Sequence, residues 1–364
     1  MQIRRESKTV MVAEQELFGK SMPIPVLFPH QVREAWGVLR LKKRFLILGT
    51  GQLAVDLHQV FLSEKQWSIK VVGFLDEREE RVGERVGSSD IVGIYSQFLQ
   101  MVEEHRVDAI AVCLEDSRSV LPIRELLDCK AMGLDIYDGH KLLEEASGRL
   151  SIDSLRPSAL VFSTGFRRRL PLLVGKRMFD VAVSAVGLVL LLPFLCFVAA
   201  LIRLDSPGPV FYRQVRVGLR GHPYMIWKFR SMCRDAEKSG PRWAQTSDPR
   251  ISRIGWWLRK TRIDELPQLV NVLRGEMSLV GPRPERPVFV QDLRKSIPYY
   301  DIRHTIKPGI TGWAQVRFRY GASQDDAHRK LQYDLYYVKN FTFLLDLKVL
   351  VRTIRVVILG EGAH

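Results

Sequence analysis

The chain of 364 residues has only four cysteines, Cys113, Cys129, Cys196 and Cys233, and none of them forms a CxxC pair. That scatter excludes a disulfide framework and a clustered-thiolate zinc site, and it fits a reducing compartment. The first thirty residues lack the apolar core of a signal peptide, since the stretch from Met22 to Pro29 is too short and too rich in proline. There is no internal repeat and no low-complexity segment. Acidic residues are scarce in one part only. Residues 1–166 carry 21 Lys+Arg against 24 Asp+Glu, whereas residues 167–364 carry 34 against 16. The second part is thus built for anionic company: phosphorylated substrates, acidic lipid headgroups or nucleic acid. The shift in sign also puts a domain boundary near Arg167. Charge of either sign is missing altogether from the 22 residues Val181–Ile202.

From Arg44 the chain alternates strands and helices. Strands are predicted at Arg44–Leu48, Ile69–Leu75, Asp108–Leu114 and Leu134–Tyr137, and helices from Gln52 to about Ser63 and over Ser96–His105. That alternation implies a parallel, doubly wound sheet. The first turn, Gly49-Thr50-Gly51-Gln52-Leu53-Ala54, has the G-x-G-x-x-A form of a dinucleotide-binding turn, and Asp76 closes the second strand. Gly49 and Gly51 would let the backbone approach a pyrophosphate at a helix N-terminus. A tight turn in a nucleotide-free Rossmann-like domain explains the same residues, and no hydride-transfer partner appears later in the chain.

The uncharged run would make roughly 33 Å of helix at ~1.5 Å per residue, enough for a bilayer core. Pro193 sits inside it, leaving the carbonyl of Val189 without its helical donor, so a bend is expected there. Both flanks are basic: Arg167, Arg168, Arg169, Lys176 and Arg177 before, Arg203, Arg213, Arg216 and Arg220 after. Positive residues favour the cytoplasmic side, which predicts a re-entrant helical hairpin over residues 178–203 rather than a span. Near the other end, Phe343–Leu359 combines an apolar face with Lys348, Arg352 and Arg355. It reads either as a helix in the headgroup region or as an ordinary core helix.

Between these segments lie the residues that can carry chemistry. Asp248-Pro249 is a helix-start signal, with Ile251, Ile254 and Leu258 on one face of the expected helix. Arg259, Lys260 and Arg262 lead into Asp264-Glu265-Leu266-Pro267, and Leu266, Leu269, Val270 and Leu273 keep helical spacing up to Gly275. The acidic pair is therefore expected at a helix N-terminus among three cations, where dipole and charge favour ionised carboxylates. An ionised, sheltered aspartate suits nucleophilic attack on phosphorus, although a cap and a surface ion pair would look the same locally. Gly281-Pro282-Arg283-Pro284 and Lys307-Pro308-Gly309-Ile310-Thr311-Gly312-Trp313 are stiff turns that offer a guanidinium and exposed amides to phosphate oxygens.

Seven motifs in one order resemble the bacterial sugar transferase family, the polyisoprenyl-phosphate hexose-1-phosphate transferases, over about residues 174–360. They are Lys176-Arg177-Met178-Phe179-Asp180, Pro207-Gly208-Pro209, Lys228-Phe229-Arg230-Ser231-Met232, Asp264-Glu265-Leu266-Pro267-Gln268-Leu269, Gly281-Pro282-Arg283-Pro284, Pro308-Gly309-Ile310-Thr311-Gly312-Trp313 and Tyr336-Tyr337-Val338-Lys339-Asn340. The resemblance implies an α/β protein in four parts. These are an N-terminal extension (1–43), a Rossmann-like, CoA-binding-like domain (44–150), a linker (151–173) and a mostly α, membrane-associated catalytic domain (174–360). It further implies a two-step exchange at the cytoplasmic face of the bacterial inner membrane. Asp264 attacks the sugar-bearing phosphorus of a UDP-sugar and releases UMP; undecaprenyl phosphate then takes the phosphosugar from the aspartate. Such a product would initiate exopolysaccharide, capsule or O-antigen assembly. Glu265 matches the holder of Mg²⁺, Arg259 and Arg283 match phosphate-facing cations, and Lys228 and Arg230 belong to a motif near the site.

The chain departs from many members in two ways: Leu192, not Ser, precedes the membrane proline, and no other membrane-length run occurs before Val181. The Rossmann-like domain is expected to serve self-association, giving a homodimer, or regulation. Two rival readings follow from the residues: an NAD(P)-binding, membrane-anchored oxidoreductase, and a non-catalytic basic regulator. Nucleic acid is not expected as a partner, because nucleic-acid binders rarely carry so long an uncharged run. No side chain identifies the sugar.

Overall fold

The computed structural model describes residues 43–63, 69–114, 121–152, 163–233, 236, 248–318 and 323–359. The expected N-terminal extension lies almost wholly outside them, as does much of the linker. The chain forms two compact units, one ending at Ser147 and one beginning at Gly148.

In the first unit, β1 (Lys43–Leu48), α1 (Gln52–Ser63) and β2 (Ile69–Asp76) are followed by a hairpin of β3 (Arg85–Val86) and β4 (Ser89–Ile94). Then come α2 (Phe98–Glu104), β5 (Ala109–Val112), α3 (Ile123–Ala131), β6 (Asp135–Asp138) and α4 (Gly139–Ser147). The sheet order is β3-β4-β2-β1-β5-β6. Alternate residues of β1 serve opposite faces. Phe45 and Ile47 pack with Leu53, Leu57 and Phe61 of α1 and with Leu142 and Leu143 of α4. Leu46 and Leu48 pack with Phe98, Met101 and Val102 of α2 and with Leu126 and Cys129 of α3. Helices on both faces are the reason this strand is continuously apolar rather than alternating.

The sheet is not wholly parallel, as the alternation had suggested. β4 pairs with β2 in parallel, but β3 runs antiparallel to β4. The two-residue turn Gly87-Ser88 makes this edge hairpin, with Gly87 at φ +65°, and such short reversals require positive φ. The hairpin is too short for a periodicity to announce it.

The second unit opens with α5 (Leu170–Asp205), a 36-residue helix with an 18-residue window of mean hydropathy 2.9. It is the one helix among the described residues long and apolar enough to cross a membrane. It continues as one helical element through Pro193. Both of its halves pack on the same unit. Lys176 pairs with Asp346 at 2.6 Å, Arg177 donates to the carbonyls of Val272 and Leu273, and Asp180 accepts from Ser278 and the Leu279 amide. Further along, Val198 and Ile202 bury against Phe229 and Leu258.

An antiparallel hairpin of β7 (Phe211–Val217) and β8 (Pro223–Phe229) follows, then α6 (Arg253–Lys260), a 3-10 turn (Ile263–Glu265), α7 (Gln268–Arg274) and β9 (Ser278–Val280). The chain continues through α8 (Pro287–Ser296), a 3-10 segment (Tyr300–Thr305), β10 (Gly309–Thr311) parallel to β9, α9 (Trp313–Arg317), α10 (Gln324–Lys339) and α11 (Phe343–Leu359). The helix expected from Asp248-Pro249 begins later. Ser252 caps α6 by accepting from the Gly255 amide at 3.0 Å, while Asp248 is held by Arg250 through two contacts of 2.5 and 2.7 Å. The Arg250 amide also donates to that carboxylate at 3.1 Å, so Asp248 closes a local turn with Arg250 instead of capping α6. α11 buries Val349 and Asp346 and leaves Leu344, Leu347, Val351 and Ile354 exposed, so one apolar face packs and another does not.

Candidate active site

Three elements converge on the acidic pair. α6 ends at Lys260, and Arg262, in left-handed conformation (φ 58°), turns the chain into the 3-10 turn that carries Asp264 and Glu265. The pair therefore precedes α7 instead of opening it, and the helix dipole acts on it less directly than the sequence suggested. Asn271 then stitches α7 to β8: its Nδ2 donates to the Met225 carbonyl at 2.7 Å and its Oδ1 accepts from the Trp227 amide at 3.1 Å. This sets the register that brings Lys228, the next residue of β8, opposite Glu265.

Arg283 arrives on the loop after β9. The backbones of that loop and of the Lys307–Gly312 turn touch. The Gly281 amide donates to the Thr311 carbonyl at 2.9 Å and the Gly309 amide to the Pro282 carbonyl at 3.0 Å. A Cβ on Gly309 would sit 2.1 Å from the Gly281 nitrogen, and one on Gly281 would sit 2.4 Å from the Lys307 oxygen. Close backbone approach thus explains why the two motifs are glycine-rich.

Asp264 and Glu265 are both buried, at 7% and 6% exposure, yet they are treated differently. Lys228 Nζ and Arg283 Nη2 reach Glu265 at 2.9 and 2.8 Å, and both grip the same oxygen, Oε1. Burial alone would raise the Glu265 pKa; Arg283 and Lys228 overcome it and hold the carboxyl well below its usual range. Burial conversely lowers Lys228, against the pull of Glu265. Asp264 makes no such pair. Its Oδ1 is buried and lacks any hydrogen-bond partner. Burial pushes its pKa up to about 6, with the nearby Glu265 charge adding to the rise, while Lys228, Arg259 and Arg262 pull the other way. Burial outweighs those cations, contrary to the expectation from the sequence. A buried polar atom left unpaired is costly and marks a place where something is to bind or react.

The structure thus brings together Asp264, Glu265, Lys228 and Arg283, with Arg259 near enough for its charge to act on Asp264. It takes Arg230 elsewhere. That guanidinium donates to the carbonyls of Ile202, Ser206 and Pro207 and to the Ser206 hydroxyl, closing the C-terminal end of α5 and its exit turn. Unpaired carbonyls and the negative pole of a long helix attract a cation more strongly than a distant site does. In this structure Arg230 serves as a cap on α5, and its guanidinium is not among the groups that reach the acidic pair.

Gly49 and Gly51 stay with the first unit. Gly49 has φ +112° and abuts the Cys113 carbonyl, and Gly51 starts α1 by accepting from Ala54 and Val55. Asp76 at the end of β2 is occupied by the Thr50 hydroxyl, by Arg81 at 2.6 Å and by the Arg78 amide at 3.0 Å.

No group of three or more His, Cys, Asp or Glu able to hold a metal occurs among the described residues. A closed cage is therefore absent there, but Mg²⁺ commonly uses one or two carboxylates and completes its shell with substrate phosphates and water. The Glu265 oxygen that neither Lys228 nor Arg283 grips and the unpaired oxygen of the preceding Asp264 fit that manner of binding in their chemistry.

Two buried residues and one partly buried residue around the loop were not assigned to the site from the sequence, where Arg216 counted only as a flanking cation. Arg216 donates to the Pro284 carbonyl at 3.1 Å, Arg303 to the Arg283 carbonyl at 2.8 Å, and Asp334 pairs with Arg303 at 2.8 Å. Asp334 had a readable signal: it shares a helical face with Leu331, Leu335 and Val338, where an acid is out of place.

Comparison with known proteins agrees with the motif order. The family profile described as bacterial sugar transferase matches residues 172–360. A UDP-N-acetylgalactosamine-undecaprenyl-phosphate N-acetylgalactosaminephosphotransferase of Aeromonas hydrophila is 42% identical over 242 residues, covering 66% of this chain and 56% of that protein. An undecaprenyl-phosphate glucose phosphotransferase of Komagataeibacter xylinus is 34% identical over 335 residues, 89% of this chain and 60% of that protein. A UDP-glucose:undecaprenyl-phosphate glucose-1-phosphate transferase of Escherichia coli K12 is 36% identical over 259 residues, 70% and 52% of the two chains. The chain spans between half and two thirds of the length of these curated relatives.

Proposed function

We propose that this chain, which belongs to the bacterial sugar transferase family, transfers a hexose 1-phosphate from a UDP-sugar to undecaprenyl phosphate through Asp264. The observation that carries the reading is the unpaired, buried Oδ1 of Asp264 beside a Glu265 clamped by Lys228 and Arg283. Desolvation makes that carboxylate more basic and more nucleophilic than an exposed one. It attacks the sugar-bearing phosphorus, the bond to UMP breaks, and a phosphosugar-aspartyl enzyme forms. The lipid phosphate then attacks the same phosphorus and Asp264 leaves as a free carboxylate. Lys228 and Arg283 hold positive charge beside the developing phosphoryl charge. Mg²⁺ at Glu265, part of this proposal, would neutralise the diphosphate.

Relatives named for glucose and for N-acetylgalactosamine leave the sugar open. The test is to incubate the detergent-purified protein with Mg²⁺, undecaprenyl phosphate and a panel of radiolabelled UDP-sugars. UMP release, with label retained on wild type and absent from Asp264→Asn, is expected. Equal behaviour of the two proteins would remove Asp264 from the mechanism.

Placement at the cytoplasmic face of the inner membrane, with α5 entering and leaving on one side, belongs to the same proposal. What supports it is the packing of both halves of α5. Lys176 to Leu188 and Leu195 to Ile202 both contact the same unit, so only Val189–Phe194 lies between them. Six residues make roughly 9 Å of helix, against roughly 30 Å of bilayer core. A transmembrane placement would strip one set of contacts. Cysteines at Thr164 and at Ser206 should both resist a periplasmic thiol reagent; labelling at one alone would establish a span.

A further inference from the structure

The loop that presents Arg283 contains Pro282 and Pro284, which have no amide hydrogen to fix it. Its base is held by the β9–β10 contacts and its far end by the Val217 amide, which donates to the Glu285 carbonyl at 3.0 Å; between them the carbonyls of Arg283 and Pro284 are held by two guanidinium groups that are not part of the loop. Arg216 Nη1 donates to the Pro284 carbonyl, and Arg303 Nη2 donates to the Arg283 carbonyl. Arg303 is itself fixed on two further sides. Its Nη1 donates to the Tyr300 hydroxyl at 2.6 Å, and its Nη2 pairs with Asp334 on α10 at 2.8 Å. Arg303, Tyr300 and Asp334 are 6%, 3% and 2% exposed.

A buried pair of this kind is poor value as a stabiliser, since apolar residues of similar volume often do as well or better. Two signs of that cost are visible. Arg303 Nε is buried with no partner, and burial pushes the Asp334 carboxyl up to about 6 even though Arg303 opposes it. What an apolar replacement could not supply is a donor for the carbonyl of Arg283.

We propose that Arg303 is a positioning residue for phosphoryl transfer: anchored by Asp334 and Tyr300, it holds the Arg283 carbonyl and so aims the Arg283 guanidinium at Glu265 and the substrate phosphates. This rests on the reading of Arg283 as a phosphate-facing cation. Arg303 touches no reacting atom; it acts through the backbone of another residue. The guanidinium is required because one planar group must serve a hydroxyl, a carboxylate and a carbonyl at fixed angles. A lysine can keep the charge opposite Asp334 but not all three contacts.

The test is a double-mutant cycle on the full-length protein, reading UMP release with Mg²⁺, undecaprenyl phosphate and the UDP-sugar that supports turnover. Arg283→Ala is expected to lower kcat/KM about 100-fold, and Arg303→Lys about tenfold, in proteins whose melting curves remain cooperative. The double variant should be no slower than Arg283→Ala alone, because a strut has nothing to aim once the guanidinium is gone. Equal tenfold losses in both backgrounds would make Arg303 a general structural residue and overturn the proposal, as would a wild-type rate in Arg303→Lys. Wild-type turnover by Arg283→Ala would instead overturn the phosphate-facing reading on which the proposal rests. Should Arg303→Lys fail to fold, Tyr300→Phe loosens the same guanidinium more gently. It should cost about threefold in wild type and nothing further in Arg283→Ala; the same loss in both would again overturn the strut.

Discussion

Two carboxylates in this molecule, Asp76 and Asp264, occupy similar positions in sequence terms and opposite positions chemically. Each is acidic, each lies beside the end of a regular element, Asp76 closing β2 and Asp264 following α6, and each has arginines close by. Asp76 is saturated: Thr50, Arg78 and Arg81 take both of its oxygens, and these bonds hold its pKa low despite burial. Asp264 is buried to a similar degree but has an oxygen with no partner, and its pKa rises to about 6. A satisfied carboxylate is a structural tie. An unsatisfied one beside cations stores the cost of its desolvation until a substrate arrives. The same comparison weakens the dinucleotide reading of the first unit, because the acid that would bind a ribose hydroxyl already belongs to its neighbours.

The largest expected effect separates the two residues by function. Asp264→Asn should lower UMP release by about 10³-fold or more, whereas Asp76→Asn should leave turnover near wild type and lower unfolding stability by about 1–3 kcal/mol. Denaturant titration and the turnover assay on both variants would break the comparison if the losses were exchanged.

Next is pH, where the two carboxylates have opposite signs. Asp264 is raised above the ordinary carboxylate value, so its contribution to stability falls as pH rises from about 4 to about 6. Asp76 is lowered, so its contribution is present above the ordinary value and lost as pH falls through its depressed one. Melting temperatures from pH 3 to 8 should show Asp264→Asn gaining on wild type between about pH 4 and about 6 and holding that gain above. Asp76→Asn should fall behind most at neutral pH and converge with wild type in acid. Turnover itself should decline below about pH 6 as Asp264 takes up a proton.

The smallest effect concerns Arg230, which motif order put with the phosphate-binding cations. Arg230→Ala should cost about 2 kcal/mol of stability through the uncapped end of α5. It should leave the KM for the UDP-sugar unchanged at temperatures where the variant stays folded. A selective rise in KM would return Arg230 to the site.

Much of the fold was legible because periodicity and turn chemistry are local. β1, α1 and β2 fall where Arg44–Leu48, Gln52–Ser63 and Ile69–Leu75 were expected, and the uncharged run of α5 is unmistakable. The β3–β4 hairpin was not, because two paired residues carry no period. Within the site, Lys228, Arg283, Asp264 and Glu265 were named from their motifs, but Arg216, Arg303 and Asp334 were not, since Arg216 and Arg303 act on backbone carbonyls far away in sequence and Asp334 acts on the Arg303 guanidinium.

By itself, the sequence determined which residues are available: an acidic pair after a run of cations, two glycine-rich turns, and a helix too apolar for water. Those are statements about side-chain type and spacing, and they hold whatever the chain does next. Tertiary structure decided how the residues are used. It spent Arg230 on helix carbonyls, gave Glu265 two ion pairs and gave Asp264 none, because hydrogen bonds and desolvation depend on distances between segments that spacing along the chain does not fix.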